Sequence, residues 1–264
     1  MVRGIAEHGY RCLPAFSYMI GALNVGITYS IMVNKVDCRF MYYFLSLGPC
    51  IRGFAHIRKV IVVDDTHLYG KYEGVLLSAV AQDTENYIYP ISFCIFDKDN
   101  DASWTFFFEN LKSIMVDGPD LCFISDRHNN IANGIAKAYN HAHHGYCISH
   151  LGENLWVNYH CGEKHYLFYK MVKIYSLEDF SDHFVGFKNY CPEAAFFLEH
   201  ELGFENWSRA YFPSNRFNVM AINIVESVSA MLIAKREYPV ASIFNLIAKR
   251  FGEIFRERHA YVLK

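Results

Sequence analysis

Four apolar residues, Val60 to Val63, run directly into two carboxylates, Asp64 and Asp65. A short continuous apolar run of this kind reads as a strand buried on both faces of a sheet. A buried strand that ends in an acid carries charge to the rim of that sheet. Charge there is costly unless a cation or hydrogen bonds compensate it. Two later acids, Asp126 and Glu226, stand in settings that allow them to complete a metal site with Asp64.

The remainder of the chain reads as the frame for these acids. Its 264 residues suit one large domain or a core with an inserted lobe. Hydrophobic residues make up 52% and charged residues 20%, which supports a filled core and argues against disorder. The net charge of −2 lacks the basic excess of a free-standing nucleic-acid binder, so any DNA-contacting cations must be grouped locally. Eight cysteines are scattered without a Cys-x-x-Cys pair, and Cys94 and Cys122 sit in apolar runs. That usage favours a reducing compartment over a disulfide scaffold. Leu13 to Asn34 is uncharged but broken by Pro14, Gly21, Asn24 and Gly26, which argues against a membrane-spanning helix.

In chain order, residues 1–57 form a lead-in that packs on the core. It holds a helix over Pro14–Leu23, a strand over Ile27–Val33 and an apolar helix over Phe40–Leu47. Residues 58–150 form the first part of the core. Lys59–Leu68, Gly74–Gln82 and Tyr87–Phe96 read as three antiparallel strands, with Asp83-Thr84-Glu85-Asn86 as a turn. Trp104, Phe107, Phe108, Leu111 and Met115 recur at helical spacing, with Asp101 or Ser103 near the cap. Leu121–Ser125 is a fourth strand ending at Asp126. Ile131, Ile135, Ala138 and Tyr139 mark a second helix, and Tyr146–Ser149 a fifth strand. Three antiparallel strands followed by crossover units is the layout of an α/β, ribonuclease H-like mixed sheet. In that layout the first and fourth strands are neighbours, which sets Asp64 beside Asp126.

Residues 151–212 read as an inserted helical lobe. Residues 213–264 supply a helix with the stripe Ile224, Val225, Val228, Met231 and Leu232, at whose edge Glu226 lies, and a last helix over Ala241–Glu257. Three carboxylates that converge favour hard cations such as Mg²⁺ or Mn²⁺. Two such ions about 3.5–4 Å apart can drive phosphodiester cleavage. Strand-end acids in turns and a solvated helix glutamate are the plainer explanation of the same residues.

The series Asp64-Asp65-Thr66-His67-Leu68-x-Gly70-x-Tyr72-x-Gly74, Asp83, Tyr89-Pro90, Trp104, Ser125-Asp126-Arg127, Cys147-x-x-His150-x-x-x-Asn154 and Asn223-x-x-Glu226-Ser227 resembles the Mutator-like element (MULE) transposase domain of plants. The resemblance spans roughly residues 10–258. It implies a ribonuclease H-like fold, an Asp-Asp-Glu triad of Asp64, Asp126 and Glu226 on divalent metal, and DNA cutting and rejoining at element ends. It also implies DNA as partner, a homo-oligomer when active and, from the substrate, a nuclear location. Asp65 is a rival first ligand, because neighbours on a strand face opposite ways and only one can enter the site. Asp64 stands where the family has its acid; Asp65, Ala221-Ile222 and Ser229 depart from the family pattern.

Cys147 and His150 match the family's Cys-x-x-His feature and can be two ligands of a second metal site. A structural zinc needs four ligands, and a core cysteine beside a hydrogen-bonded histidine is the plainer reading. Arg127, Lys235 and Arg236 are candidates for phosphate contact, with Lys249, Arg250, Arg256 and Arg258 as a later basic cluster. His141, His143 and His144 read as an exposed helix end, and Trp207 as core rather than a base-stacking surface. Two other functions fit the same residues: a domesticated relative that binds DNA without cutting it, and an inactive fragment of a decayed element.

Overall fold

The computed structural model describes residues 6–69, 73–213 and 236–262. Two helices, α1 (Ala6–Arg11) and α2 (Leu13–Leu23), precede strands β1 (Thr28–Val33) and β2 (Phe40–Ser46). The short helix α3 (Gly48–Gly53) leads to β3 (Val60–His67), β4 (Val75–Gln82) and β5 (Ile88–Phe96). Then come α4 (Asp101–Ile114), β6 (Cys122–Ser125), α5 (Asn129–Ala138) and β7 (His143–Tyr146). Helices α6 (Ile148–Tyr159), α7 (His165–Met171), α8 (Leu177–Tyr190), α9 (Pro192–Phe196) and the long α10 (Val240–Val262) follow, with short 3₁₀ and π turns between elements.

The strands form one mixed α/β sheet of seven, in the order β1-β2-β5-β4-β3-β6-β7. The pairs from β1 through to β3 are antiparallel, and β3-β6 and β6-β7 are parallel. The expected meander of β3, β4 and β5 is therefore present. Phe40–Leu47 departs from expectation: it is strand β2, not a helix. Its residues from Tyr42 to Ser46 are buried without alternation, so no period distinguishes strand from helix there. Tyr146–Ser149 departs too, because β7 ends at Tyr146 and Ser149 already lies in α6.

Helices cover both faces of the sheet. On one face α4 sets Phe107 6.1 Å from Phe44 and Phe108 5.5 Å from Phe123. Helix α4 starts where Asn100 caps it: the Asn100 side chain accepts from the Ala102 and Ser103 N–H groups, and Ser103 Oγ accepts from Asn100 N–H. The cap is thus one residue before Asp101. Helix α5 packs closely on α4 at Gly134, where a Cβ would meet Phe108 at 2.8 Å and Trp104 at 3.2 Å. On the opposite face α10 brings Phe244 to Tyr43, Phe251 to Phe93 and Phe255 to Tyr89. Each such side chain contributes about 1.5–3 kcal/mol when fully buried.

Strand β5 contains Pro90, which has no N–H to donate. The β4 register shifts at that point, with Ala79 opposite Ser92 and Val80 opposite Pro90. Such a bulge is where an interior strand tolerates proline. A second hydrophobic cluster is built by α6 to α9 around Leu155, Phe168, Phe180, Phe187, Leu198 and Trp207. Trp207 is fully buried, and its indole N–H donates to the Leu198 carbonyl at 3.2 Å. No helix among the described residues is long and apolar enough to cross a membrane.

Candidate active site

Strands β3 and β6 run parallel with Val62 level with Ile124. Asp64 and Asp126 each follow their member of that pair by two residues, so both stand at the C-terminal ends of adjacent strands. Which face each acid serves follows from the register. Asp64 is opposite Ser78, which is opposite Phe93 on the α10 side. Asp65 is opposite Leu77, Leu77 is opposite Cys94, and Cys94 is opposite Phe44 on the α4 side. Phe123 packs on Phe108 and Tyr139, so Ile124 takes the α10 side with Asp64. Adjacent acids of one strand thus serve opposite faces, and Asp64 is the one on the face of Ile124.

The electrostatics of the two acids differ. Partial burial pushes the Asp64 carboxyl up to about 7, and the charges of Asp65 and Asp126 add to the shift, while His150 opposes it. Burial also raises Asp65, with Asp99 and Asp126 adding and His67 opposing. Asp126 is exposed, and its Oδ1 accepts the Arg127 N–H at 2.7 Å.

His150 lies in the first turn of α6, with its Nδ1 3.7 Å from Asp126 Oδ1. That nitrogen is buried and has no hydrogen-bond partner among the described residues. The neighbouring Cys147 side chain raises the His150 pKa to about 9; Asp126 and Asp64 add to this, and burial works against it. At neutral pH the ring is a cation beside two acids. A cavity of about 360 Å³ opens here, lined in part by Asp126, Arg127, Tyr146, Cys147, His150 and Asn154. Among the described residues, no group of three or more His, Cys, Asp or Glu side chains is arranged to hold a metal ion.

Glu226 and Lys235 lie outside the described residues. The chain leaves them past Phe212, whose ring fills the space beside Gly145, where a Cβ would meet it at 2.8 Å and Ile124 at 3.2 Å. It returns at Arg236, whose carbonyl accepts the Tyr69 N–H at 3.1 Å just past β3. Both anchor points adjoin strands of the acid pair or their neighbour. The Arg236 guanidinium lies 5.8 Å from the Tyr69 ring, and its buried Nε has no hydrogen-bond partner among the described residues. The Arg127 guanidinium sits 4.7 Å over the Phe197 ring, a contact that links the end of β6 to the helical cluster.

Several further expectations are corrected. His143 and His144 are on strand β7, not a helix end, and His144 Nε2 shares a 2.8 Å hydrogen bond with Ser125 Oγ. His141 is in the preceding loop, 3.2 Å from Asp117. Of the late basic cluster, Arg258 is engaged by Asp83 and the Ile88 carbonyl, and Arg250 pairs with Glu253. Sequence reasoning treated Cys147 and His150 as a separate pair and did not set His150 beside Asp126. The available signal was the position of Cys147-x-x-His150 directly after a strand parallel to the one ending in Asp126.

No curated protein matches this chain in sequence. A family model does match, over β3 to the first half of α6, and it takes in Asp64, Asp126, Cys147 and His150. Residues 60–154 match the MULE transposase domain.

Proposed function

We propose that this chain is the catalytic core of a DNA transposase with a ribonuclease H-like fold, which cleaves phosphodiesters at transposon ends and joins the freed 3′ hydroxyl to target DNA. The observation that carries the reading is the level pairing of β3 with β6 inside the MULE match, which aligns Asp64 with Asp126 on adjacent parallel strands. In this reading Asp64, Asp126 and Glu226 hold two Mg²⁺ or Mn²⁺ ions. The described donors fit a hard cation. Both are carboxylates, and the charges acting on partly buried Asp64 are two other acids and His150, which leaves its ionised form poorly compensated. A bound divalent cation supplies Lewis-acid stabilisation of the charge that builds on a phosphodiester under attack by water.

The chain's own residues do the remainder. Asp64, on the inner part of the site, fixes position, while exposed Asp126 meets the incoming strand. His150, held as a cation, offers a donor to a phosphate oxygen at the same edge. Arg127, seated on Phe197, adds positive charge to the cavity wall. Arg236 and Lys235 extend that charge along a DNA backbone. A nuclear location and a homo-oligomeric active form follow from the substrate.

A nicking assay on element-end DNA with Mg²⁺ or Mn²⁺ tests the reading. Cutting that needs the metal and vanishes in Asp126→Asn is the expected result. Tight binding to the same DNA without any cutting by the wild type overturns catalysis and favours a DNA-binding regulator.

A further inference from the structure

Two of the buried cysteines, Cys161 and Cys191, lie together in the core of the helical cluster. Cys161 follows α6, and Cys191 joins α8 to α9. Both belong to the same buried cluster and both are free thiols. The segments that carry them are held together on each side of the pair. Tyr159 stacks on Phe197 with ring centroids 4.9 Å apart, and the Lys164 ammonium lies 5.0 Å from the Tyr190 ring. The Cys191 side chain acts on the Cys161 thiol and helps raise its pKa. Backbone bonds fix both ends: Lys164 N–H donates to the Cys161 carbonyl, and Ala195 N–H donates to that of Cys191. Neither thiol lines the acidic cavity.

We infer that Cys161 and Cys191 form an oxidisable dithiol, a modification site at which hydrogen peroxide closes a disulfide that staples the α6–α7 loop to the α8–α9 junction. In the first step one thiol, as thiolate, attacks the peroxide oxygen; the O–O bond breaks, water leaves and a sulfenic acid forms. In the second the other thiol attacks that sulfur, the S–O bond breaks and a second water leaves. The two sulfurs lose two electrons and two protons, and both go to the peroxide. Burial pushes the Cys161 thiol up to about 12, and Cys191 adds to that shift, so the thiolate is scarce and closure is slow. The staple closes a long loop of the helical cluster, which restricts the unfolded chain and raises the melting temperature.

The test is peptide mapping of the full folded chain after prolonged incubation with hydrogen peroxide, with free thiols blocked before digestion. A linked peptide pair joining Cys161 to Cys191, released by reductant, is expected. The treated chain should also melt several degrees higher, a gain absent from Cys161→Ser and Cys191→Ser. Mapping of the wild type alone decides the matter if either variant folds poorly. Recovery of both cysteines as blocked free thiols, as separate sulfinic or sulfonic acids, or linked to other cysteines overturns the inference.

Discussion

His150 Nδ1 lies 3.7 Å from Asp126 Oδ1, in ion-pair range but beyond a hydrogen bond, and no other group among the described residues satisfies that nitrogen. Asp126→Asn removes one of the charges that hold the proton on His150. The His150 pKa should fall from about 9 and remain above the ordinary histidine value, because the Cys147 side chain is the larger cause. Histidine ring proton shifts followed by NMR across pH measure this. An unchanged value in the variant would mean that the carboxylate does not act on the ring.

Stability should fall as pH rises across two adjoining windows. The Asp64 pKa is raised to about 7 in the fold, so the native state binds more protons than the unfolded chain between its ordinary carboxyl range and 7. Stability is lost through that window. His150, raised to about 9, contributes stability that is complete below its ordinary range and is lost as pH climbs through 9. Urea midpoints measured in steps of pH without metal should decline through both windows. Asp64→Asn should weaken the lower one, where raised Asp65 keeps a part, and reduce the upper only slightly, since Asp64 is the least of the causes that raise His150.

Adding Mg²⁺ at alkaline pH should recover stability in the wild type, because a cation that binds the folded acids and not the unfolded chain shifts the equilibrium by mass action. The gain should vanish in Asp64→Asn. Asp65→Asn should keep both the gain and metal-dependent nicking, since Asp65 lies on the α4 side of the sheet. Thermal melts with and without metal, beside the nicking assay, check both statements. Loss of nicking in Asp65→Asn with full nicking in Asp64→Asn would sink the assignment.

Gly134→Ala should destabilise the core, by about 1–3 kcal/mol if the helices cannot part. The new methyl meets Phe108 at 2.8 Å and Trp104 at 3.2 Å, so α4 and α5 must separate or distort. Guanidinium denaturation compared with wild type measures it. Gly118→Ala, where nothing lies within 4 Å, is the control.

Trp207→Ala should cost about 3–5 kcal/mol, because the ring is fully buried beside Phe168 and Phe180. Limited proteolysis should then cut first within residues 148–213. Cuts confined to the sheet would show that the helical cluster does not depend on this side chain.

The sequence shows the acid-tipped strand plainly, since Val60–Val63 admits few alternatives and Gly70 and Gly74 limit its length. The α4 stripe was equally legible, because helical spacing survives when one face packs on a sheet. Strand β2 was not. Its seven residues are nearly all apolar and lie between β1 and β5 under helices on both sides, so alternation is erased. Strand β7 was hidden for the opposite reason: His143, His144 and Gly145 have the polarity of a loop, and burial of Gly145 under Phe212 is a tertiary fact. The neighbours Asp64 and Asp126 follow from strand order. The approach of His150 does not, because it depends on β7 ending at Tyr146 so that α6 begins at once.

Parallel strands cannot be joined by a tight hairpin. Between β3 and β6 the chain must first lay down β4, β5 and α4. A chain still being made therefore cannot set Asp64 level with Asp126 until β4, β5 and α4 have all been synthesised.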